Sequence, residues 1–347
     1  MSRLIKESVF RILLFLFSVF AIALVVELFF RIFDIRYPDP KTGTWREAVQ
    51  AETHPGVRYK FQPFSEFHVT YDGNPDGYLD KNNRLYYRLN NYGFRGANFR
   101  IKKPPGVYRI MVLGDSFTFG DGVKLEDTFC VKLQNELRKL YPKVEVLNFG
   151  VSGWNTVDQI SYFNAAGYKF EPDLVVIAYV LNDGPWELWP VDMFKDEFAK
   201  AFEERIFPSS YFLTYAHTTW VRYQLSKRYI REKVQSIHTH KAEWNRSFRY
   251  LLRGKQMVEN TGADYFVILL PYLYELNEDH PFLPLQNSVE RFCAENKIAF
   301  QDLFHSFIGR NHVDLWAHPT DQHPNAKGHR IIAEALKASI QQREFLD

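Results

Sequence analysis

Cysteine is scarce in this chain: Cys130 and Cys293 are the only two among 347 residues, and they lie far apart. A disulfide framework is therefore excluded as the means of folding, and a chain of this length buries a sizeable core without one. Both cysteines fall on segments with helical spacing and have the apolar neighbours Phe129, Val131 and Phe292. Two buried thiols are expected, and nothing beside Cys130 would activate it as a nucleophile. A predominant charge is also lacking. Lys and Arg number 43 against 41 Asp and Glu, a formal net charge of +2, and neither sign forms a block. Nothing here argues for a nucleic-acid partner. Internal repeats and low-complexity tracts are absent, and long apolar runs are absent with one exception.

The exception is Ile12 to Phe30, apolar throughout but for Ser18 and Glu27. At helical rise such a segment roughly spans a bilayer's hydrocarbon core of about 30 Å. No small-residue cleavage site follows, and the flank continues into Arg31, Asp34 and Arg36. An uncleaved membrane anchor is therefore expected over residues 1–36. Arg3, Lys6 and Arg11 precede the run, while Arg31, Arg36, Lys41 and Arg46 follow it, so the charge count leaves the orientation open. Export of the remaining chain to a periplasmic or other extracytoplasmic side is an expectation only.

Residues 37–100 are rich in Pro, Gly, Asn and Tyr, with short strand-like runs at Phe67 to Tyr71 and Leu85 to Leu89; they read as an irregular, β-containing lead-in. From Tyr108 the pattern becomes regular. Apolar strands are expected at 108–113, 144–149, 174–179, 263–270 and 298–304, with helices at 128–140, 156–168, 287–296 and 325–342. Such alternation predicts an α/β domain over residues 101–347, with a parallel sheet of about five strands between helical layers. The charged, aromatic-rich stretch at about 186–260 interrupts it as a helical insertion over one face of the sheet.

The chemistry is expected where strands end. GDSFTFG, Gly114 to Gly120, turns a strand into a helix and presents Ser116 at the sheet's carboxyl edge, where open α/β sheets bind ligands. Helix capping by Asp115 and Ser116 is the competing use of those residues. NFGVSGWNT follows the second strand with Gly153, YVLNDG follows the third with Asn182 and Asp183, and DQHPNAKGH precedes the last helix with Asp321 and His323. Each loop alone reads as an ordinary turn. A serine, a glycine, an asparagine and an Asp/His pair on one edge are much harder to attribute to turns.

These four runs, in this order, resemble the SGNH hydrolases, also called the GDSL family of lipases and acylhydrolases, over roughly Tyr92 to Leu336. The run YGFRGANF, Tyr92 to Phe99, is similar to the lead-in of bacterial members. The resemblance implies a flavodoxin-like three-layer fold with Ser116 as nucleophile and His323 as base. It further implies Asp321 as the residue orienting the base, and Ser116, Gly153 and Asn182 as the oxyanion hole. Two departures stand out: Val180 replaces the usual glycine of the third block, and Asp321 is two residues before His323 where the family usually has three. Asp314 is the alternative partner for the histidine.

Ser116 would attack an ester carbonyl as His323 takes its proton, and the set suffices for acyl transfer without a cofactor or metal. A serine esterase removing O-acyl groups, O-acetyl above all, from a carbohydrate or related ester is the expectation. An O-acyltransferase using the same residues and a glycan hydroxyl is the first alternative, and a non-catalytic glycan-binding or assembly protein is the second. An α/β-hydrolase elbow and a phosphate loop are both disfavoured, because GDSFTFGDG fits neither pattern. His312, His318 and His329 near His323 read as surface or capping residues rather than metal ligands, and Trp154, Trp186 and Trp189 as packing residues at least as readily as a sugar platform. No protein partner can be read from the chain.

Overall fold

The computed structural model describes residues 3–36, 41–185 and 210–346. It divides into two compact units, residues 1–38 with 189–231, and residues 39–188 with 232–347.

In the first unit, helix α1 (Arg3–Ile32) contains the apolar run. Within its segment Glu7–Ile32 an 18-residue stretch reaches a mean hydropathy of 2.8 with none of that stretch buried, so by length and composition this is a helix able to cross a membrane. Near its end Glu27 pairs with Arg31 at 2.7 Å. The same carboxylate accepts from Ser210 Oγ at 2.7 Å, Tyr211 N at 3.0 Å and Phe212 N at 3.1 Å. Those amides open a long helix, Tyr211–Thr239, so Glu27 caps its otherwise unpaired N-terminus. Phe30 packs edge-on against Phe212 and Tyr215 beside this cap.

The second unit opens with a lead-in of short antiparallel strands: β1 (Thr42–Gly43), β2 (Val49–His54), β3 (Val57–Phe61), β4 (Glu66–Thr70) and β5 (Arg84–Arg88). They pair as a β2–β3 hairpin and a sheet of order β1–β4–β5. β4 and β5 fall within a residue of the expected runs, whereas the β2–β3 hairpin was not expected: β3 (VRYKF) alternates, but its partner β2 (VQAETH) is mostly polar.

The main sheet follows. Its strands β6 (Tyr108–Gly114), β7 (Val144–Gly150), β8 (Leu174–Val180), β9 (Asp264–Leu270) and β10 (Ala299–Asp302) lie in the order β10–β9–β8–β6–β7, and every neighbouring pair is parallel. The expected five-stranded parallel sheet is present. β8 reads LVVIAYV and is buried along its whole length, as a strand covered on both faces must be. On one face Ile110, Val112, Val176, Ala178, Phe266 and Ile268 form a core with α2's Phe117 and two helices that pack on each other, α3 (Phe129–Arg138) and the closing α8 (Ala326–Gln342). α2 itself is the short helix Ser116–Phe119. The other face carries α4 (Thr156–Ala165), α6 (Lys241–Glu259) and α7 (Leu283–Glu295). There α6 packs on α4 and β9, and Tyr179 Oη lies 3.0 Å from Ser247 Oγ of α6.

The helical insertion is observed as α5 (Tyr211–Thr239) followed by α6; residues 186–209 of the expected span, with Trp186 and Trp189, lie outside the described residues. Cys130 on α3 and Cys293 on α7 are both free and buried, and burial pushes both thiols up, that of Cys293 to about 12. Trp154 is core: 1% exposed, with its indole N–H donating to the Tyr59 carbonyl at 2.6 Å.

The strand order decides where a site can form. From β6 the chain moves outward to β7, then returns past β6 to β8, so β6 stands at the point where the winding reverses. Adjacent crossovers diverge there and open a crevice at the carboxyl ends of the strands.

Candidate active site

β6 delivers Ser116 into that crevice. Gly114 is paired with Gly150 of β7 and Ala178 of β8, three small residues across the sheet edge. They let α2 sit directly on the strand ends: a Cβ on Gly150 would come within 2.2 Å of the Phe119 amide nitrogen, and one on Gly114 within 2.1 Å of Thr118 Oγ1. Asp115 caps α2, its carboxylate accepting from Phe117 N at 2.9 Å. The rival capping role is therefore taken by Asp115, while Ser116 keeps its hydroxyl for another partner. Arg95, fully buried, holds the far end of the turn by donating to the carbonyls of Phe119, Gly120 and Val123, which gives the YGFRGANF run a physical purpose.

The histidine and aspartate come from a hairpin ahead of α8, formed by β11 (Trp316–His318) and β12 (Asp321–Pro324). Residues two apart in a strand share a face, so the two-residue spacing that departs from the family pattern points both side chains the same way. His323 Nδ1 lies 2.5 Å from Asp321 Oδ1, and His323 Nε2 lies 2.8 Å from Ser116 Oγ. With an acceptor-only carboxylate at Nδ1, that nitrogen carries the proton and Nε2 is free to accept from the serine hydroxyl. Asp314 is elsewhere, on the 3-10 turn His312–Leu315, where its carbonyl accepts from Asn325 Nδ2 at 2.9 Å.

Asp321 is 4% exposed, yet its carboxyl is held well below the usual range. Burial opposes this; the charges of Lys41 and His323, with hydrogen bonds from both, more than offset it. For His323 the balance is upward: burial lowers its affinity for a proton, but the charge of Asp321 and the hydrogen bond to it raise that affinity further.

The other two loops flank Ser116. Gly153, after β7, has φ +82°, a conformation glycine adopts without strain. Its carbonyl accepts from Arg58 Nη2 at 2.5 Å, and the neighbouring Ser152 carbonyl from Tyr59 Oη at 2.6 Å. Asn182, on the 3-10 turn after β8, donates from Nδ2 to Asp115 Oδ2 at 2.8 Å, which leaves its second amide hydrogen for another acceptor. Asp115 is pushed up to about 6, chiefly by burial. Asp183 closes the same turn by accepting from Val180 N at 3.0 Å and from Gln159 Nε2 at 3.2 Å. Val180 is the last residue of β8, with its side chain in the core, so a residue larger than glycine is accommodated by packing inward.

Of the nearby histidines, His329 is fully buried rather than at the surface. Its Nδ1 accepts the first amide of α3, Phe129 N, at 3.1 Å, and burial drives its proton affinity down to about 3. His318 is also buried, with Nδ1 2.8 Å from Thr320 Oγ1. Sequence reasoning missed Lys41, Arg58, Tyr59 and Tyr71, because their partners stand some 90 to 280 residues away and no local pattern links them.

Residues 112–331, more than half the chain and nearly all of the main sheet with its site, match the GDSL-like Lipase/Acylhydrolase family. The chain belongs to this family. As a GDSL-type protein it is a serine ester hydrolase. Among solved structures it is similar to TesA, at 16% identity over 67% of this chain and 98% of that one, with a TM-score of 0.43. A catalytic mutant of an acetylxylan esterase from Geobacillus stearothermophilus is 17% identical over 69% of this chain and 96% of its own, at a TM-score of 0.42. A two-domain esterase active on acetylated mannans is 15% identical over 68% of this chain and 49% of its own, at a TM-score of 0.41. No curated protein matches the chain.

Proposed function

We propose that this GDSL-type hydrolase works through an acyl-enzyme on Ser116 and removes short O-acyl groups, O-acetyl in particular, from a carbohydrate. The single observation that carries the mechanism is the unbroken chain of hydrogen bonds from Ser116 Oγ through His323 to Asp321. His323 takes the hydroxyl proton as Oγ attacks the ester carbonyl, and Asp321 stabilises the imidazolium that forms. The tetrahedral oxyanion is met by the backbone N–H groups of Ser116 and Gly153 and by the free amide hydrogen of Asn182, each such donor contributing about 3 kcal/mol to the barrier reduction. His323 then returns its proton to the leaving alcohol, and water resolves the ester.

A glycan at the cell surface is supported by the N-terminal helix. We assign residues 1–36 to an anchor, 37–100 to a lead-in and 101–347 to the hydrolase domain with its insertion at about 186–260, the domain lying on the extracytoplasmic side. Protease added to intact cells should then cleave the hydrolase domain; full protection would reverse the orientation.

The test of the activity is turnover of an activated acetyl ester by the full chain in detergent. Wild type should release acetate, and Ser116→Ala and His323→Ala should not. Adding an unacetylated oligosaccharide separates the two fates of the acyl group: acetate as the sole product supports hydrolysis, and acetylated oligosaccharide would replace it with transfer.

A further inference from the structure

Asp321 has two carboxylate oxygens, and His323 occupies one. The other, Oδ2, receives Lys41 Nζ at 2.6 Å and Tyr71 Oη at 2.7 Å. Both donors belong to the lead-in: Lys41 precedes β1, and Tyr71 follows β4, within the same compact unit as the hydrolase sheet. Their separation from Asp321 in sequence is 280 and 250 residues, so the contacts are made by the folded lead-in and not by the local chain. This is no screened surface pair. The aspartate side chain is 3% exposed, and the lysine side chain, at 29%, is largely withdrawn from water.

We propose that Lys41, assisted by Tyr71, is a positioning residue that sets the basicity of His323 through Asp321. The inference rests on the reading of Ser116, His323 and Asp321 as the reacting residues.

Lys41 acts on the pair in two ways. A buried carboxylate with His323 as its sole charged neighbour would draw a proton onto that ring strongly, and a base held as imidazolium cannot take the proton of Ser116. Lys41 neutralises part of that field, and its cation directly opposes a second positive charge on the ring. Second, two donors on Oδ2 fix the carboxylate's rotation, so that Oδ1 faces His323 Nδ1 along β12. That compensates for the short spacing of the aspartate and histidine in this chain, which brings them together on one strand face without further support from a loop.

Other ionisable groups around the pair are Asp121 and Asp115, which act on His323 or Lys41 from the α2 side, and Tyr87 of β5, which acts on Lys41. His318 of β11 packs its ring against Tyr71, and His329 of α8 lies within electrostatic reach of His323. None of these hydrogen-bonds Oδ2, so Lys41 is the group whose removal isolates the effect.

The test is the pH profile of kcat/KM for an activated acetyl ester, with the full chain in detergent. In Lys41→Met the acid limb should move up by about one pH unit, the scale of one close charge. Activity at pH 6 should then fall about tenfold relative to wild type while the alkaline plateau changes much less. Lys41→Arg, which keeps the cation, should restore the limb, and Tyr71→Phe, which keeps the cation and loses one donor, should move it less than Lys41→Met. A lowered plateau with an unmoved limb in Lys41→Met would mean that the lysine only braces the fold, and would overturn the proposal. Titration of the His323 imidazole by NMR in the same variants keeps the two readings apart. A raised midpoint without any turnover would support Lys41 and sink the esterase; an unmoved midpoint with normal turnover would do the reverse. Should Lys41→Met fail to fold, Lys41→Gln and Tyr71→Phe decide by the same titration.

Discussion

Replacing Asp321 by asparagine changes one atom and should silence the enzyme. The carboxylate accepts three side-chain hydrogen bonds, from His323 Nδ1 at 2.5 Å, Lys41 at 2.6 Å and Tyr71 at 2.7 Å, and a longer one from the His323 amide at 3.4 Å. An amide accepts on one side only. If its oxygen faces Lys41 and Tyr71, its NH₂ faces His323 and forces the ring to protonate Nε2, so that Ser116 meets a donor where it needs an acceptor. If the amide turns over, its NH₂ meets two donors, and Lys41 loses its counter-charge as well. The first orientation keeps more bonds and gives the wrong tautomer. In a Ser-His-Asp triad that error lowers kcat by about 10⁴-fold, which corresponds to ~5 kcal/mol of barrier. Folding stability should fall by about 1–3 kcal/mol, the cost of a spoiled buried hydrogen-bond set. The assay is steady-state hydrolysis of an activated acetyl ester at pH 8 beside urea unfolding of the same sample. Activity within tenfold of wild type in a folded Asp321→Asn protein would refute the assignment; a comparable collapse in Asp314→Asn alone would transfer the role to that residue.

Because the proton affinity of His323 is raised, the acid limb of kcat/KM should lie above the ordinary histidine value of about 6.5, with activity appearing as pH rises through it. A limb at or below that value, read from initial rates between pH 5 and 9, would contradict the electrostatics described for the site. Gly153→Ala should cost stability and rate together. The new Cβ would stand 2.3 Å from Tyr59 Oη at a φ of +82°, so the tyrosine must release the Ser152 carbonyl and the Gly153 loop must shift. A loss of about 1–3 kcal/mol and at least tenfold in kcat is expected, with the cost smaller when the same change is made in Tyr59→Phe. His329 is held neutral, with its proton affinity lowered to about 3, so the unfolded chain binds a proton that the native one refuses. Its contribution makes stability fall as pH drops below about 6.5, by on the order of 1.4 kcal/mol per unit down to the native value. His329→Gln should flatten that part of the urea-midpoint profile.

The strands of the main sheet were legible because burial on both faces leaves continuous apolar runs such as LVVIAYV, which need no partner to be recognised. The loops carrying Ser116, Gly153, Asn182, Asp321 and His323 were legible for a related reason: each directly follows or precedes a regular element, so sequence order fixes its place on the sheet edge. The β2–β3 hairpin was not legible, since Val49–His54 reads VQAETH and owes its pairing to the neighbouring strand. The hairpin of Asp321 and His323 was hidden similarly. Four residues of β12 are too few to show a period, and its extended backbone, which makes the two-residue spacing workable, comes from β11. Lys41, Arg58, Tyr59 and Tyr71 look like ordinary surface polar residues until the lead-in folds onto the sheet edge. The role of Glu27 was equally invisible, because the helix end it caps begins at Tyr211.

The central claim is that Ser116 Oγ is the atom that carries the acyl group. Intact-protein mass spectrometry of the full chain after treatment with a fluorophosphonate, which captures serines activated by a neighbouring base, tests it directly. A single adduct is expected, mapped by peptide sequencing to the GDSFTFG segment at Ser116, absent from Ser116→Ala and strongly slowed in His323→Ala. A wild-type protein that stays unlabelled while folded, or an adduct on another residue that persists in Ser116→Ala, would contradict it.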